Sequence, residues 1–340
     1  MNILFIQLKR IGDLILTTPA LAAVREKFPE AKITLVISAE CKALAPAIIG
    51  VNKLLVMPRG FAGIGAATAI AGGKFDYAID LTRSDRSALL VLLSRAKKRI
   101  VSFRIKVRSK FRTRFYNEFV QHRMRDMHTI DYHLALLAPL GISDAPRAIQ
   151  LHLPKSSRAT AAELLSANNL RRNFIIFHPG SARPEKYWNA QRWAEVINHA
   201  ADKHDVDLVL TGGTSPLEQT HIGEIKSKVR HRVIDFSGKT DLLTLAALIA
   251  KARLLVTVDS APMHLASASR TPQVILFGPT NPFHWRPRES PALILQGTSR
   301  SPFTEFVPKQ PRLPMNQIST EAVIDAMETL LSAPATSPRL

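Results

Sequence analysis

Apolar and polar positions along this chain fall into blocks of two lengths. Short runs rich in β-branched residues are "NILFIQL" (2–8), "KITLVI" (32–37), "KLLVM" (53–57), "DYAIDL" (76–81) and "RIVSF" (99–103). Longer amphipathic stretches lie between them, such as "PALAAVREKF" (19–28) and "DRSALLVLLSRA" (85–96). The second half repeats the rhythm with "FIIFH" (174–178), "VDLVLTG" (206–212), "RVIDF" (232–236), "LLVTVD" (254–259) and "QVILFG" (273–278). Helical patterns there cover 190–204, 241–252 and 319–331. The strand runs are mostly continuous in apolar character, as in strands covered by helices on both faces. Strand–helix alternation predicts parallel, doubly wound α/β sheets, and two such series predict two Rossmann-like domains. Pro154 and a serine pair interrupt the pattern in "IQLHLPKSSRAT" (149–160), which places the domains at 1–155 and 156–340. The tail "SAPATSPRL" (332–340) reads as frayed.

A length of 340 residues suits two cores, and 46% hydrophobic with 21% charged residues is a globular composition. The one cysteine, Cys41, excludes an internal disulfide framework and a cysteine-based zinc cluster. No apolar run approaches the roughly 18 residues of a membrane span. The start of the chain lacks the charge-then-apolar order of a secretory signal. A soluble or peripheral, cytoplasmic protein is expected. The formal charge of +19 points to an anionic partner: nucleic acid, an acidic membrane surface or a phosphorylated substrate.

In open parallel sheets ligands bind beyond the carboxyl ends of the strands. The loops 9–13, 179–186, 212–218, 259–264 and 278–286 are therefore the places for chemistry. In "VTVDSAPMHLASAS" (256–269) Asp259 ends a strand, Ser260 can cap a helix and Pro262 suits its first turn. The backbone N–H groups of Ala261, Met263 and His264 would then meet an anion such as a diphosphate. Asp259 and Ser260 read equally as plain capping residues, with His264 on the surface. "FHPGSARPEKYW" (177–188) offers a donor in Ser181 and a compact cation in Lys186, which could also be a solvated loop lysine. In "TGGTSPLEQT" (211–220) Glu218 either completes a capping box with Ser215 or accepts bonds from a ribose. Neither GxxxxGK[ST] nor GxGxxG occurs, and GxSxG is absent too. No metal-ligand cluster is visible, so no metal and no cofactor is expected.

Charge gathers in "RAKKRIVSFRIKVRSKFRTRFYNEFVQHRMR" (95–125), with twelve Lys or Arg and one acidic residue, Glu118. An extended chain over "SFRIKVRSKFRTRF" would put Arg108, Lys110 and Arg112 among the cations of one face. That face would suit a polyanion or an anionic membrane. A solvated loop is the plain alternative. Aromatics are few, and no RRM, KH or helix-turn-helix pattern appears, so nucleic acid is not expected.

Taken in order, "KRIGDLILTTPAL" (9–21), "HPGSARPEKYWNAQRWAEVI" (178–197) and "DSAPMHLASASRTPQVILFGPTNPFHWRP" (259–287) resemble the lipopolysaccharide core heptosyltransferases, glycosyltransferase family 9. "FDYAIDLTRSDRSALLVLLSRA" and "HWRP" are most like the heptosyltransferase III branch. The resemblance spans nearly the whole chain and implies a GT-B fold, two Rossmann-like domains facing a cleft. It also implies an ADP-L-glycero-D-manno-heptose donor bound in the C-terminal domain, and a phosphorylated lipopolysaccharide core acceptor. The reaction would be inverting, at the cytoplasmic face of the inner membrane. Asp13, which read alone is as well an ordinary helix-start residue, matches the general base. Ser181, Lys186, Asp259, Ser260, Ala261, Met263 and His264 match the donor loops, and Glu218 matches a ribose-binding acid. Pro262 and Met263 stand where some members carry glycine and leucine. Lys9 and Arg10 become candidates for steering the acceptor. The last helix, about 319–332, is expected to pack back on the N-terminal domain. The alternatives are a GT-B transferase for another nucleotide sugar and a basic, non-enzymatic nucleic-acid-binding protein.

Overall fold

In a computed structural model the described residues are 1–170 and 173–333. Of the tail expected to fray, 332–340, Ser332 still closes the last helix, and 334–340 lie outside the described residues. The chain divides into two compact units after His152, three residues ahead of the expected boundary. The helix Lys155–Ala167 begins directly after Pro154, where a break in the pattern was expected.

The N-terminal unit holds one parallel sheet of six strands: β1 (Asn2–Gln7), β2 (Lys32–Ser38), β3 (Lys53–Met57), β4 (Tyr77–Asp80), β5 (Lys98–Ser102) and β6 (Glu118–Val120). Their order is β3-β2-β1-β4-β5-β6. The C-terminal unit holds β7 (Phe174–His178), β8 (Asp207–Leu210), β9 (Ile234–Asp235), β10 (Leu254–Val258), β11 (Gln273–Phe277) and β12 (Ala292–Gln296). They run β12-β11-β10-β7-β8-β9, the same winding counted from the first strand of each unit. In both units the first strand lies between the second and the fourth. The crevice where the winding reverses therefore opens at the carboxyl ends of β1 and β4, and of β7 and β10.

Central strands are buried on both faces, which explains their unbroken apolar runs: Ile3, Leu4, Phe5 and Ile6 of β1 are fully buried. Each such side chain stabilises the fold by roughly 1.5–3 kcal/mol. Two expected strands shrink, to 207–210 and 234–235. Two were not foreseen: β6, with three residues, and β12, whose run is short and follows a proline-rich loop.

Caps set the helix starts. Ser84 accepts from the N–H of Ser87 while Ser87 Oγ accepts from the N–H of Ser84, a reciprocal box at the start of Asp85–Leu93. Asn189 caps Ala190–Lys203 by accepting from Gln191 and Arg192. That helix buries Trp193, which meets Trp188 edge to face at 5.4 Å.

The last helix, Thr320–Ser332, packs on Ala190–Lys203 and on β10, β11 and β12 of its own unit. The reason is local. Val323, Ala326 and Met327 complete the apolar core over that sheet. Trp188 Nε1 donates to the Ile318 carbonyl at 3.0 Å, and Glu328 accepts from His199 and His204.

The basic stretch is not extended. It folds as β5, the short helices Arg104–Arg108 and Lys110–Thr113, and β6. Ile105 turns into the core under this segment, which anchors the first of the two short helices. No helix among the described residues is long and apolar enough to cross a membrane.

Candidate active site

β1 ends at Gln7, and the chain turns through Leu8, Lys9 and Arg10 into a five-residue helix, Ile11–Ile15. Asp13 stands in its first turn, yet no side chain caps this helix. The Asp13 carboxylate is almost buried and lies 3.4 Å from Lys9 Nζ, longer than a charge-assisted hydrogen bond. Its Oδ1 is buried without a hydrogen-bond partner. Lys9 is held in place from behind, since Ser38 Oγ and Cys41 Sγ both donate to its carbonyl. Burial lowers the pKa of the Lys9 ammonium, and the Asp13 charge opposes that shift. Arg10 is exposed.

At the neighbouring mouth, Asp80 ends β4 fully buried. It accepts from the N–H groups of Thr82 and Arg83, from Ser87 Oγ and from Tyr116 Oη at 2.6 Å. These bonds pin the turn in which Arg83 adopts a left-handed backbone, φ 64°. Such a conformation in a non-glycine residue needs this kind of support. The Arg83 guanidinium lies over the Tyr132 ring at 4.9 Å, and its Nε is buried without a partner. Arg112, expected to meet ligand, pairs with Asp85 at 3.2 Å and donates to the Arg83 carbonyl at 3.0 Å. It braces this turn. Arg108 and Lys110 are exposed.

His133 lies beneath. Its Nδ1 is 3.0 Å from the Leu16 carbonyl, and its Nε2 is buried and unpaired. Burial pushes its pKa down to about 3. Gln7 Oε1 and Thr129 Oγ1 are also buried without partners. Buried polar atoms ordinarily find a hydrogen bond, so such atoms mark places for water or ligand. Sequence reasoning missed Asp80, Arg83 and His133. "DLTRS" after β4 carried a usable signal, because it occupies the second loop of the crevice.

In the C-terminal unit Lys186, Asp259, Thr280 and Glu218 are paired, although His221 Nε2, on the helix that carries Glu218, is buried without a partner. Lys186 ends a short turn after β7 and donates to the Asp259 carboxylate and to the Asp259 carbonyl, each at 2.7 Å. Thr280 Oγ1 donates to the same carboxylate oxygen. Thr280 was not singled out, although its loop was. Ser260 is the N-cap residue of Ala261–Ser269, but its hydroxyl makes no capping bond and contacts the Val258 carbonyl.

The Met263 N–H, expected to face an anion, donates to the Ser260 carbonyl at 3.2 Å. Its side chain is fully buried with Ile275 and Phe277, because the helix turns that face to the sheet. His264 is buried, where one reading had it on the surface, and Ala261 is half-buried. Ser181 Oγ accepts from the Arg183 N–H.

The Glu218 N–H donates to Ser215 Oγ, as in a capping box. The carboxylate reaches further back, however, and accepts from Gly213 N–H at 2.7 Å. It nests against Gly180, where any Cβ would collide with it. Tyr187 stacks on His221 at 4.8 Å near this group. Among the described residues no three His, Cys, Asp or Glu side chains gather as a metal site.

Two doubly wound α/β units, each with polar residues at its crevice loops, make up a GT-B fold. The chain belongs to glycosyltransferase family 9 (heptosyltransferase), whose model matches residues 66–312. It is 26% identical to lipopolysaccharide heptosyltransferase 3 of Escherichia coli K12, over 96% of this chain and 97% of that protein. The family 9 glycosyltransferase of Veillonella parvula superposes with a TM-score of 0.83 at 28% identity, covering 97% of each chain. Escherichia coli heptosyltransferase WaaC, solved with ADP, shares the fold at a TM-score of 0.70 and 19% identity, covering 97% of each. The chain is thus an enzyme, and the reading as a non-enzymatic nucleic-acid binder is set aside.

Proposed function

We propose that the protein transfers L-glycero-D-manno-heptose from ADP-heptose to a sugar of the lipopolysaccharide inner core, with inversion. One observation carries the reading: in a family 9 glycosyltransferase, Asp13 presents a nearly buried carboxylate at the mouth of β1 that is not spent on capping. A sugar hydroxyl is a weak nucleophile and needs such a base. In this reading Asp13 takes the acceptor hydroxyl proton as the oxygen attacks the anomeric carbon. The bond from that carbon to the phosphate oxygen breaks, and ADP leaves with the electron pair. Positioned bases of this kind contribute about 10²–10⁴-fold.

Lys186 and the start of the helix Ala261–Ser269 meet the growing charge on the diphosphate, and no metal is invoked. Asp259, Ser260, Ala261, Met263 and His264 line the sugar-diphosphate loop, with Ser181 beside it and Glu218 towards the ribose. That relatives carry heptosyltransferase names, one of them solved with ADP, supports an ADP-sugar donor. Lys9 and Arg83 supply cations at the mouths of β1 and β4, beside Asp13 and Asp80, and an anionic group on the acceptor would pair with them. Arg10, Arg108 and Lys110 draw the phosphorylated core and lipid A towards the unit. The enzyme works at the cytoplasmic face of the inner membrane, as a peripheral protein.

Incubation with ADP-heptose and a panel of truncated core glycolipids tests the reading. The expected product is one heptose heavier with inverted linkage. Turnover with UDP- or GDP-sugars and none with ADP-heptose would refute the donor.

A further inference from the structure

Large apolar side chains left in solvent are concentrated in one part of the N-terminal unit. Six of the ten strongly exposed ones among the described residues lie between 61 and 111. Phe61 is 91% exposed, Val107 72%, Phe111 66% and Ile64 55%. These four sit on the segments that follow β3 and β5, so all stand along the carboxyl edge of one sheet. Each has a neighbour that the core did take. Ile70 is buried from the helix Ile64–Ala71, and Ile105 from Arg104–Arg108, leaving Ile64 and Val107 turned outward.

The segments are braced to each other. Arg86 donates to the carbonyls of Met57 and Pro58, ahead of Phe61. The next residue back, Asp85, pairs with Arg112, which adjoins Phe111. Phe111 in turn meets Phe115 edge to face at 5.1 Å.

The same two segments carry the cations Arg59, Arg104, Lys106, Arg108, Lys110 and Arg114. Acid is scarce beside them. Asp85 is taken by Arg112, and Glu40 lies 3.7 Å from Arg59. Braced apolar tips on basic segments match the interface of an anionic bilayer. There the apolar groups enter the headgroup boundary and the cations stay with the phosphates. Nucleic acid would use the cations but gains nothing from Ile64 and Val107, which cannot stack on bases. A protein interface is depleted of charge at its core, whereas here charge and apolar tips interleave.

We infer that the segments after β3 and β5 form a docking surface for an anionic lipid bilayer, with Phe61, Ile64, Val107 and Phe111 entering it. The inference rests on the membrane-surface part of the proposed function and gives it a location.

The test is co-sedimentation of the full chain with phosphatidylcholine vesicles, with and without roughly one-third phosphatidylglycerol. The wild type should bind the phosphatidylglycerol vesicles, less so at high salt, and ignore phosphatidylcholine alone. The combined variant Phe61→Ser, Val107→Ser, Phe111→Ser, with circular dichroism unchanged, should bind about tenfold more weakly. Its turnover of a deacylated, water-soluble acceptor should be unchanged, while turnover of the same acceptor embedded in vesicles falls. Equal vesicle binding by variant and wild type overturns the inference, as does absence of wild-type binding. Failure of both proteins on the soluble acceptor refutes the transferase reading instead, and leaves the vesicle result to stand or fall by itself.

Discussion

The two units share a winding but hold their crevice groups in opposite ways. In the C-terminal unit Lys186, Asp259 and Thr280 are tied to one another, and Glu218 is tied to Gly213. None of that unit's buried unpaired atoms sits on the loops after β7 or β10 among the described residues. In the N-terminal unit Arg83 Nε, Gln7 Oε1 and His133 Nε2 are buried without partners near the mouths of β1 and β4, and Asp13 Oδ1 has no hydrogen bond, only the Lys9 ammonium at 3.4 Å. The charge differs as well, with 24 basic against 11 acidic residues in the first unit and 22 against 16 in the second.

A paired site is rigid before ligand arrives, and a ligand must exchange with an existing partner. An unpaired site keeps free valences whose desolvation is already spent, so the first hydrogen bonds from a ligand count strongly. Under the proposed function the paired loops would be a donor site of preset shape, and the N-terminal mouth an acceptor site that takes up a proton and an anionic group.

The largest expected effect separates the two units by chemistry. Asp13→Asn should lower the transfer rate by about 10²–10⁴-fold. ADP affinity, read by calorimetry, should be unchanged; wild-type-like turnover would remove the base from the N-terminal unit. Next comes Lys186→Met, which removes a cation from a paired site and leaves Asp259 with fewer partners. Donor affinity should fall about 10- to 100-fold, while the affinity for the acceptor glycolipid holds. An equal loss on both substrates would mean that the sites are not divided in this way.

A third test asks whether the two units share a pH limit. His133 and His178 are buried neutral, one per unit, with burial pushing their pKa values down to about 3 and about 4 from 6.5. Below 6.5 the unfolded chain takes up protons that these folded side chains refuse. Stability present at neutral pH is therefore lost as pH falls towards 4, by about 1.4 kcal/mol per pH unit for each histidine. Urea midpoints at pH 7 and 5 check this, and His133→Gln should flatten the loss in the N-terminal unit alone. The smallest effect concerns caps. Ser84→Ala should cost about 1 kcal/mol, because it opens a reciprocal box. Ser260→Ala should cost under about 0.5 kcal/mol of stability, because that hydroxyl makes no cap bond. Thermal midpoints of the two variants decide it.

Much of the scaffold was legible before any coordinates. β3 and β7 appear at their observed limits, and β1, β2, β5 and β11 lie within a residue, because strands buried on both faces must be apolar throughout. β6 and β12 were not legible, since three residues, or five after a proline-rich loop, carry too little pattern. Among the candidate site residues, Asp13 and Lys186 could be singled out because they lie in the segments that follow β1 and β7 and match the family's motifs; read alone, Asp13 is an ordinary helix-start residue. Arg83 could not, as it looks like one more cation in a basic unit. Its distinction is a backbone conformation held by Asp80 and a ring, Tyr132, some fifty residues away.

The sequence by itself therefore determined the strand and helix alternation, the two units and the loops at their carboxyl edges. All of these are local consequences of burial and turn chemistry. Only the tertiary structure decided that Asp259 and Lys186, 73 residues apart, share a hydrogen bond, and that Arg112 braces the Arg83 turn. It also decided that the basic stretch folds as short helices with its apolar tips exposed. The reason is physical. Local pattern specifies which faces are buried, but the partner of a polar group depends on which strands lie side by side, and that order is set by packing across the whole sheet.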